Sequence, residues 1–239
     1  MQRDLKENVV VITGAGRGVG RAMAISFAEA GADLILASRT ESELLSVAAE
    51  VESMGRKASI IVANVSRESD AQSIAAEAER IHGRVDVLIN NAAIFGGGPV
   101  ATLDTKSWNR LIAVNLTGTF LVTRAILPLM IPNEKGTNVM IASTSGKRGD
   151  PGESAYSASK FGMIGFAQSL TGEVRQHNIR VVIVDPSGVD TRAVPPGQKQ
   201  AEGKGIRLCA EDVAETVLHT VLLPGRAMVR EVELWATNP

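Results

Sequence analysis

Apolar runs of strand length alternate along this chain with longer segments whose apolar residues recur at helical spacing. Val9 to Ile12 precedes a helical pattern over Val19 to Ala30, Leu34 to Ala37 precedes Glu41 to Met54, and Ser59 to Ala63 precedes Ser69 to Ile81. Val85 to Ile89, Val139 to Ala142 and Val181 to Val184 are followed in turn by helical patterns over Lys106 to Leu129, Ala155 to Gln176 and Asp212 to Leu222, and Val229 to Trp235 reads as a closing strand. Strands that are nearly continuous Val, Ile and Leu are buried on both faces, which is the signature of a parallel sheet joined by right-handed helical crossovers. The pattern therefore predicts an α/β fold: a single domain over 1–239, doubly wound, with a parallel sheet of about seven strands and helices on both faces.

Punctuation refines the boundaries. Thr40 with Glu43 three residues later reads as a capping box for the second helix, and Gly31, Gly55 and Gly83 stand where helices should end. Nothing repeats at a fixed period. One long irregular stretch, 192–207, is polar and rich in Gly and Pro. It follows the sixth strand, where ligands sit in such sheets, and is expected to be a substrate lid.

Composition narrows the function classes. The chain has 239 residues, with 25 basic and 26 acidic side chains for a net charge of −1, and no basic stripe, so no nucleic-acid partner is expected. Its one cysteine, Cys209, cannot close an intrachain disulfide, and the three histidines, His82, His177 and His219, are far apart and read as surface or helix-end residues. No metal site is expected. No signal-peptide core and no 18-residue apolar span is apparent, so no membrane partner is expected and the location read is cytoplasmic. Aromatic residues are scarce, and Tyr156 is the single tyrosine.

Candidate chemistry begins after the first strand, at Thr13-Gly14-Ala15-Gly16-Arg17-Gly18-Val19-Gly20, followed by an apolar-striped helix. Glycines there let backbone approach a pyrophosphate, whose charge is stabilised by the N–H groups and dipole of the helix that follows. Strict GxGxxG spacing fails because position 19 is Val; the loop is TGxxxGxG. The second strand ends at Ala37-Ser38-Arg39-Thr40, about where an acid would bind the 2′-hydroxyl of NAD. Arg39 and Arg17 instead offer fork-like donors suited to a 2′-phosphate, which predicts NADP(H). Glu41 reads as a first-turn helix acid.

Tyr156 and Lys160 fall four apart in a predicted helix and share a face, so the phenol and the ammonium point the same way. A phenol with a reference pKa of about 10 is a poor acid–base group near neutrality, and a neighbouring Lys with an oxidised nicotinamide favours its ionised form. Thirteen residues upstream, Ser143 delivers a hydroxyl from the end of the fifth strand. With Asn90-Asn91-Ala92, Asn115 in VNLTG and the run Pro186 to Thr191, these residues make the chain resemble a short-chain dehydrogenase/reductase over nearly its whole length.

The resemblance implies a Rossmann-like fold and transfer of hydride between NADP(H) and a carbonyl or secondary alcohol. It implies that Tyr156 is the general acid/base, that Ser143 holds the substrate oxygen, that Lys160 binds the nicotinamide ribose and tunes Tyr156, and that Asn115 anchors a proton-relay water. Val189 and Thr191 would contact the nicotinamide carboxamide. The implied cofactor set also takes in Thr13, Gly14, Gly16, Arg17, Gly18, Val19, Gly20, Ser38, Arg39, Asn64, Val65, Asn91, Ala92, Ala93, Tyr156, Lys160 and Pro186. Three positions depart from the family pattern: Asn64 stands for an acidic residue, and Ala93 and Ser187 stand for glycines, both adding side chains close to the expected cofactor path. In isolation, Asn115 would read as a helix kink and Ser143 as a strand-end cap.

Within the family the short C-terminus resembles 3-oxoacyl-thioester reductases and related carbonyl reductases. Glu134 and His177 stand where a carrier-protein-binding reductase offers Arg, which lowers a carrier-protein role. Relatives are commonly homotetramers packed through the helices over 106–129 and 155–176, with a further contact near Trp235, otherwise a core residue. The rival reading is a non-catalytic NADP(H)-binding sensor or scaffold on the same fold; a serine hydrolase lacks its GxSxG elbow.

Overall fold

The computed structural model describes residues 4–191 and 207–237. Seven strands form one all-parallel sheet: β1 (Val9–Thr13), β2 (Asp33–Ser38), β3 (Ala58–Val62), β4 (Val87–Asn90), β5 (Gly136–Ile141), β6 (Ile179–Pro186) and, closing it, β9 (Glu231–Leu234), in the spatial order β3-β2-β1-β4-β5-β6-β9. Two short strands, β7 (Val189–Asp190) and β8 (Leu208–Cys209), pair separately beyond the end of β6. The seven-stranded doubly wound sheet agrees with the expectation from the apolar pattern.

Alternation along β1 assigns its two faces. Val10 and Ile12 pack into a layer with Met23, Phe27, Val213 and Val217, whereas Val9 and Val11 pack with Ile74, Val122, Ile126 and Ala167. The first layer carries α1 (Gly18–Glu29), α2 (Glu41–Ser53) and α7 (Ala210–Val221); the second carries α3 (Glu68–His82), α4 (Thr105–Ile112), α5 (Gly118–Met130) and α6 (Ser154–Val174). Strand order reverses between β1 and β4, so the crevice for a ligand opens beyond their carboxyl ends, at Thr13 and Asn90.

Gly31, Gly55 and Gly83 follow helices at φ of 101°, 75° and 66°, the left-handed region that ends helices. The capping box at α2 does not form. Thr40 has no side-chain cap bond, and its N–H donates to Ser38 Oγ at 3.3 Å, which leaves Glu43 to turn elsewhere. Such a box does form at α7, where Cys209 N–H donates to Asp212 Oδ2 at 2.8 Å.

The predicted helix over 106–129 is in fact α4 and α5 joined by a π-helical turn, Ala113–Thr117. This continuous helical stretch, Thr105–Asn133, is long and apolar enough to cross a membrane by length and composition, contrary to the expectation of no such span. Its apolar face is used within the fold: Leu111, Val122, Ile126 and Met130 are buried, the last three against the sheet. Trp108 and Phe120 on the same stretch are exposed, as is Phe161 on α6. Trp235 is about half exposed, not a core residue, and its indole donates to Glu233. The stretch read as a lid, 192–207, lies outside the described residues except for Arg207.

Candidate active site

The glycine loop is shaped by contacts that tolerate no side chain. A Cβ on Gly20 would lie 2.0 Å from the Gly14 carbonyl oxygen, one on Gly14 would lie 2.9 Å from Ala92 Cα, and one on Gly16 would lie 2.8 Å from Glu43 Cβ. Gly14 and Gly18 also hold φ of 65° and 54°. The loop is braced from β4: Asn91 Nδ2 donates to the Thr13 and Gly14 carbonyls at 2.9 and 3.2 Å, and Thr13 Oγ1 accepts from the N–H groups of Asn91 and Ala92. Gly18 opens α1 with Val19, and the Thr191 side chain comes within about 3.3 Å of where a Gly18 Cβ would stand. This close backbone approach at a helix N-terminus is the cradle a pyrophosphate requires.

Beside the loop lies a cavity of about 120 Å³, lined by Gly14, Arg17, Ser38, Arg39, Asn64, Val65, Ala92 and Ala93 among the expected residues. Glu43 lines it too, which the sequence reading missed by giving that residue to the cap. Asn64 is a turn residue as well: its Oδ1 accepts from the Ser66 N–H and hydroxyl, and its own N–H donates to Asp70 Oδ2. The two departures from glycine differ in outcome. Ala93 does line the cavity, whereas Ser187 Oγ turns away to accept from the Ala236 N–H at 3.4 Å, and its N–H donates to the Leu234 carbonyl, tying the end of β6 to the C-terminal strand. Pro186 ends β6, buried, and Val189 follows in β7.

At the other end of the crevice, α6 presents Tyr156 and Lys160 on one face, and β5 ends two residues before Ser143. Lys160 Nζ stands 5.7 Å from the centre of the Tyr156 ring and donates to the Ile141 carbonyl at 2.7 Å. Burial pulls the Lys160 ammonium down to about 8, partly offset by the charge of Asp185. Burial also pushes the Tyr156 phenol above its ordinary range, with the Ser143 hydroxyl pulling it back and the Glu153 carboxylate adding to the rise. The phenol is thus harder to ionise here than a free one, and a cation brought against it would lower it.

Both structural readings of Ser143 and Asn115 hold alongside their place in the site. Ser143 Oγ caps a short 3₁₀ turn by accepting the Ser145 N–H at 3.1 Å. Asn115 sits in the π-helical turn, fully buried; its amide accepts from Ile94 N–H at 2.9 Å and donates to Ile94 O and to Ser159 Oγ. Ser159 Oγ in turn donates to the Tyr156 carbonyl at 2.6 Å, so Asn115 locks α6 to the irregular segment following β4. Phe95, on that segment and largely exposed, meets the Tyr156 ring edge-on with centroids 5.0 Å apart.

Sequence reasoning also missed Asp185, fully buried at the end of β6. Burial pushes its carboxyl up to about 7, and Lys147 Nζ lies 3.5 Å from Oδ2 while bonding Glu231 and Glu233. His82, His177 and His219 fall at or near helix ends, and among the described residues no three His, Cys, Asp or Glu side chains converge as metal ligands.

A doubly wound sheet with a glycine cradle at its switch point and a Ser–Tyr–Lys set across the same crevice defines a nicotinamide-dependent oxidoreductase. Residues 8–202 match the family model described as short chain dehydrogenase, and the chain belongs to that family. Among curated relatives it is 35% identical over 187 residues to the 3-oxoacyl-[acyl-carrier-protein] reductase FabG of Thermotoga maritima, covering 78% of this chain and 76% of that one. It is 30% identical over 239 residues to the sepiapterin reductase of Chlorobaculum tepidum, covering 97% of both. Among solved structures, a metagenomic short-chain oxidoreductase in complex with NADP superposes with a TM-score of 0.84 at 32% identity, over 96% of this chain and 97% of that one. An alcohol dehydrogenase from Thermococcus sibiricus complexed with 5-hydroxy-NADP gives 0.89 at 25% identity, over 97% of both.

Proposed function

We propose that this single-domain chain reduces a small-molecule carbonyl, or oxidises the matching secondary alcohol, with Tyr156, Ser143, Lys160 and Asn115 as its catalytic set. The cofactor is NADP(H). The observation that carries the reading is the convergence of the Ser143 hydroxyl, the Tyr156 phenol and the Lys160 ammonium at one end of a crevice whose other end holds a glycine cradle and two arginines.

A nicotinamide held in that crevice would supply or accept the hydride. The chain's own residues handle the oxygen. Ser143 donates to the substrate oxygen and fixes it beside the phenol; Tyr156 passes its proton to the oxygen as negative charge builds there. Lys160, which here donates to the Ile141 carbonyl, would bind the ribose of a bound nucleotide and lower the phenol through its charge. Asn115 supports the set by holding α6 in register with the Ile94 segment. Thr13 and Asn91 shape the loop, while Gly14, Gly16, Gly18, Val19 and Gly20 present the helix N-terminus to the pyrophosphate, and Arg17, Ser38 and Arg39 face the adenosine ribose. Asn64, Val65, Ala92 and Ala93 line the adenine side, and Pro186, Val189 and Thr191 the nicotinamide side.

The substrate class extends to 3-oxoacyl thioesters, in keeping with the FabG relative, although Glu134 and His177 present no arginine fork to an acidic carrier. Exposed Trp108, Phe120 and Phe161 on the long helices support assembly into a homotetramer, and one free cysteine suits a cytoplasmic setting. An NADPH-oxidation screen over 3-oxoacyl thioesters, diketones, quinones and sugars tests the activity, with Tyr156→Phe as the control. Turnover should vanish in that variant while NADPH affinity stays within about twofold, since the lost hydroxyl serves chemistry and not nucleotide binding. Equal turnover by both proteins would refute the assignment.

A further inference from the structure

The adenosine end of the crevice holds a charge that the sequence pattern assigns to something else. Glu43 stands in the first turn of α2, where spacing from Thr40 makes it a capping residue, yet the Thr40 N–H is taken by Ser38 Oγ and the cap is absent. Its carboxylate instead lies over the glycine loop. A Cβ on Gly16 would stand 3.0 Å from Glu43 Oε2 and 3.2 Å from Ser38 Oγ, so the carboxylate and the hydroxyl at the end of β2 both border the same space over the loop. Glu43 Oε1 is 3.6 Å from Arg17 Nη1, and Arg17, Arg39 and Glu43 all line the one cavity.

The end of β2 in this fold is where the substituent on the adenosine 2′ carbon is read. An acceptor carboxylate there suits a hydroxyl, and arginine forks suit a phosphate. This chain carries both. A 2′-phosphate entering the cavity gains Arg39 but must take Arg17 from Glu43 and sit near a like charge; a 2′-hydroxyl leaves the Arg17–Glu43 pair intact and can donate to the carboxylate. We infer that Glu43 is a specificity-determining residue that weakens NADPH binding and supports NADH, leaving the enzyme with a shallow cofactor preference that a single neutral substitution would steepen. The inference rests on the proposed reading of this crevice as the nucleotide site.

The pair is partly solvated, with Arg17 mostly exposed and Glu43 about one third exposed, so the effect is that of a screened charge. Titrating the whole protein with NADPH and, separately, NADH, by nucleotide fluorescence, gives both dissociation constants without turnover. Glu43→Gln should tighten NADPH by about fivefold and weaken NADH by about threefold, with Glu43→Ala moving both the same way. The control is Glu41→Gln, which removes the same charge from the same helical turn at an exposed position outside the cavity; its two constants should stay within about twofold. An unchanged NADPH-to-NADH ratio in both Glu43 variants overturns the inference while leaving the nucleotide site standing. A shift by Glu41→Gln equal to that of Glu43→Gln overturns it too, since net charge alone would then explain the change. Wild-type protein that bound neither nucleotide would defeat the reading of the crevice itself.

Discussion

Lys160 is a buried cation whose ionisation links folding to catalysis, and the Lys160→Met variant exposes that link. Its side chain is fully buried, and its ammonium donates to the Ile141 carbonyl. Burial draws its pKa from 10.5 down to about 8. The folded state thus holds this proton less tightly than the unfolded chain does. Between pH 8 and 10.5 the unfolded chain binds more protons at this site, so stability rises with pH through that window, by about 1.4 kcal/mol per unit. From pH 7 to pH 10 the rise attributable to Lys160 is about 2.5 kcal/mol, good to about a factor of two. Below pH 8 the site is protonated in both states and its burial cost is present in full.

Methionine keeps the apolar stem and removes the charge. It also strands the Ile141 carbonyl, a loss of about 1–2 kcal/mol that does not vary with pH. Urea denaturation of both proteins without nucleotide, at one protomer concentration and at pH 7, 8.5 and 10, separates the two effects. The wild type should gain about 2.5 kcal/mol on the variant across the series, and the variant should be inactive throughout. NADP⁺ should flatten the wild-type slope, because ribose hydroxyls against the ammonium would favour its charged form. Parallel stability curves for the two proteins would refute the reasoning, since they would mean that the buried group is already neutral at pH 7 or remains hydrated.

Three further outcomes test the site. Because Tyr156 is the single tyrosine, an ultraviolet titration of phenol ionisation reports on it alone: the apo protein should titrate above the ordinary phenol range because of burial, and the NADP⁺ complex lower; an unperturbed value in the complex would count against Tyr156 as the acid. Gly20→Ala places a methyl 2.0 Å from the Gly14 carbonyl oxygen, so nucleotide affinity should fall by about 100-fold or more with circular dichroism little changed; retained affinity would mean that the loop is not the cradle. Arg39→Ala removes a donor facing the ribose and should weaken NADPH by about tenfold with NADH nearly unaffected, as measured by the same fluorescence titration.

The layered fold was legible because its signal is redundant. Each strand of β1 to β6 carries several consecutive apolar residues, and each helix of the two layers carries a stripe, so an error at one residue leaves the element standing. Details that depend on the competition for a single hydrogen bond were not legible. Nothing in the spacing of Val114-Asn115-Leu116 announces a π turn in place of a continuous helix, since the extra residue is accommodated by the Asn115 amide, which finds its partners at Ile94 and Ser159, both distant in sequence. Ser187 likewise occupied a glycine position, and its effect depended on whether a C-terminal backbone N–H would reach its hydroxyl.

Glu43 is the clearest instance of why local pattern and function diverge. A Thr and a Glu three apart at a helix start satisfy the capping pattern on composition alone, but the pattern does not register that Ser38, two residues before Thr40, can take the same N–H. Once it does, the carboxylate pairs instead with Arg17, 26 positions away in sequence on the glycine loop. The charge is then delivered to the cavity that Arg17 and Arg39 also line. A side chain that reads as helix punctuation becomes, through one displaced hydrogen bond, the group best placed to set which nucleotide the enzyme prefers.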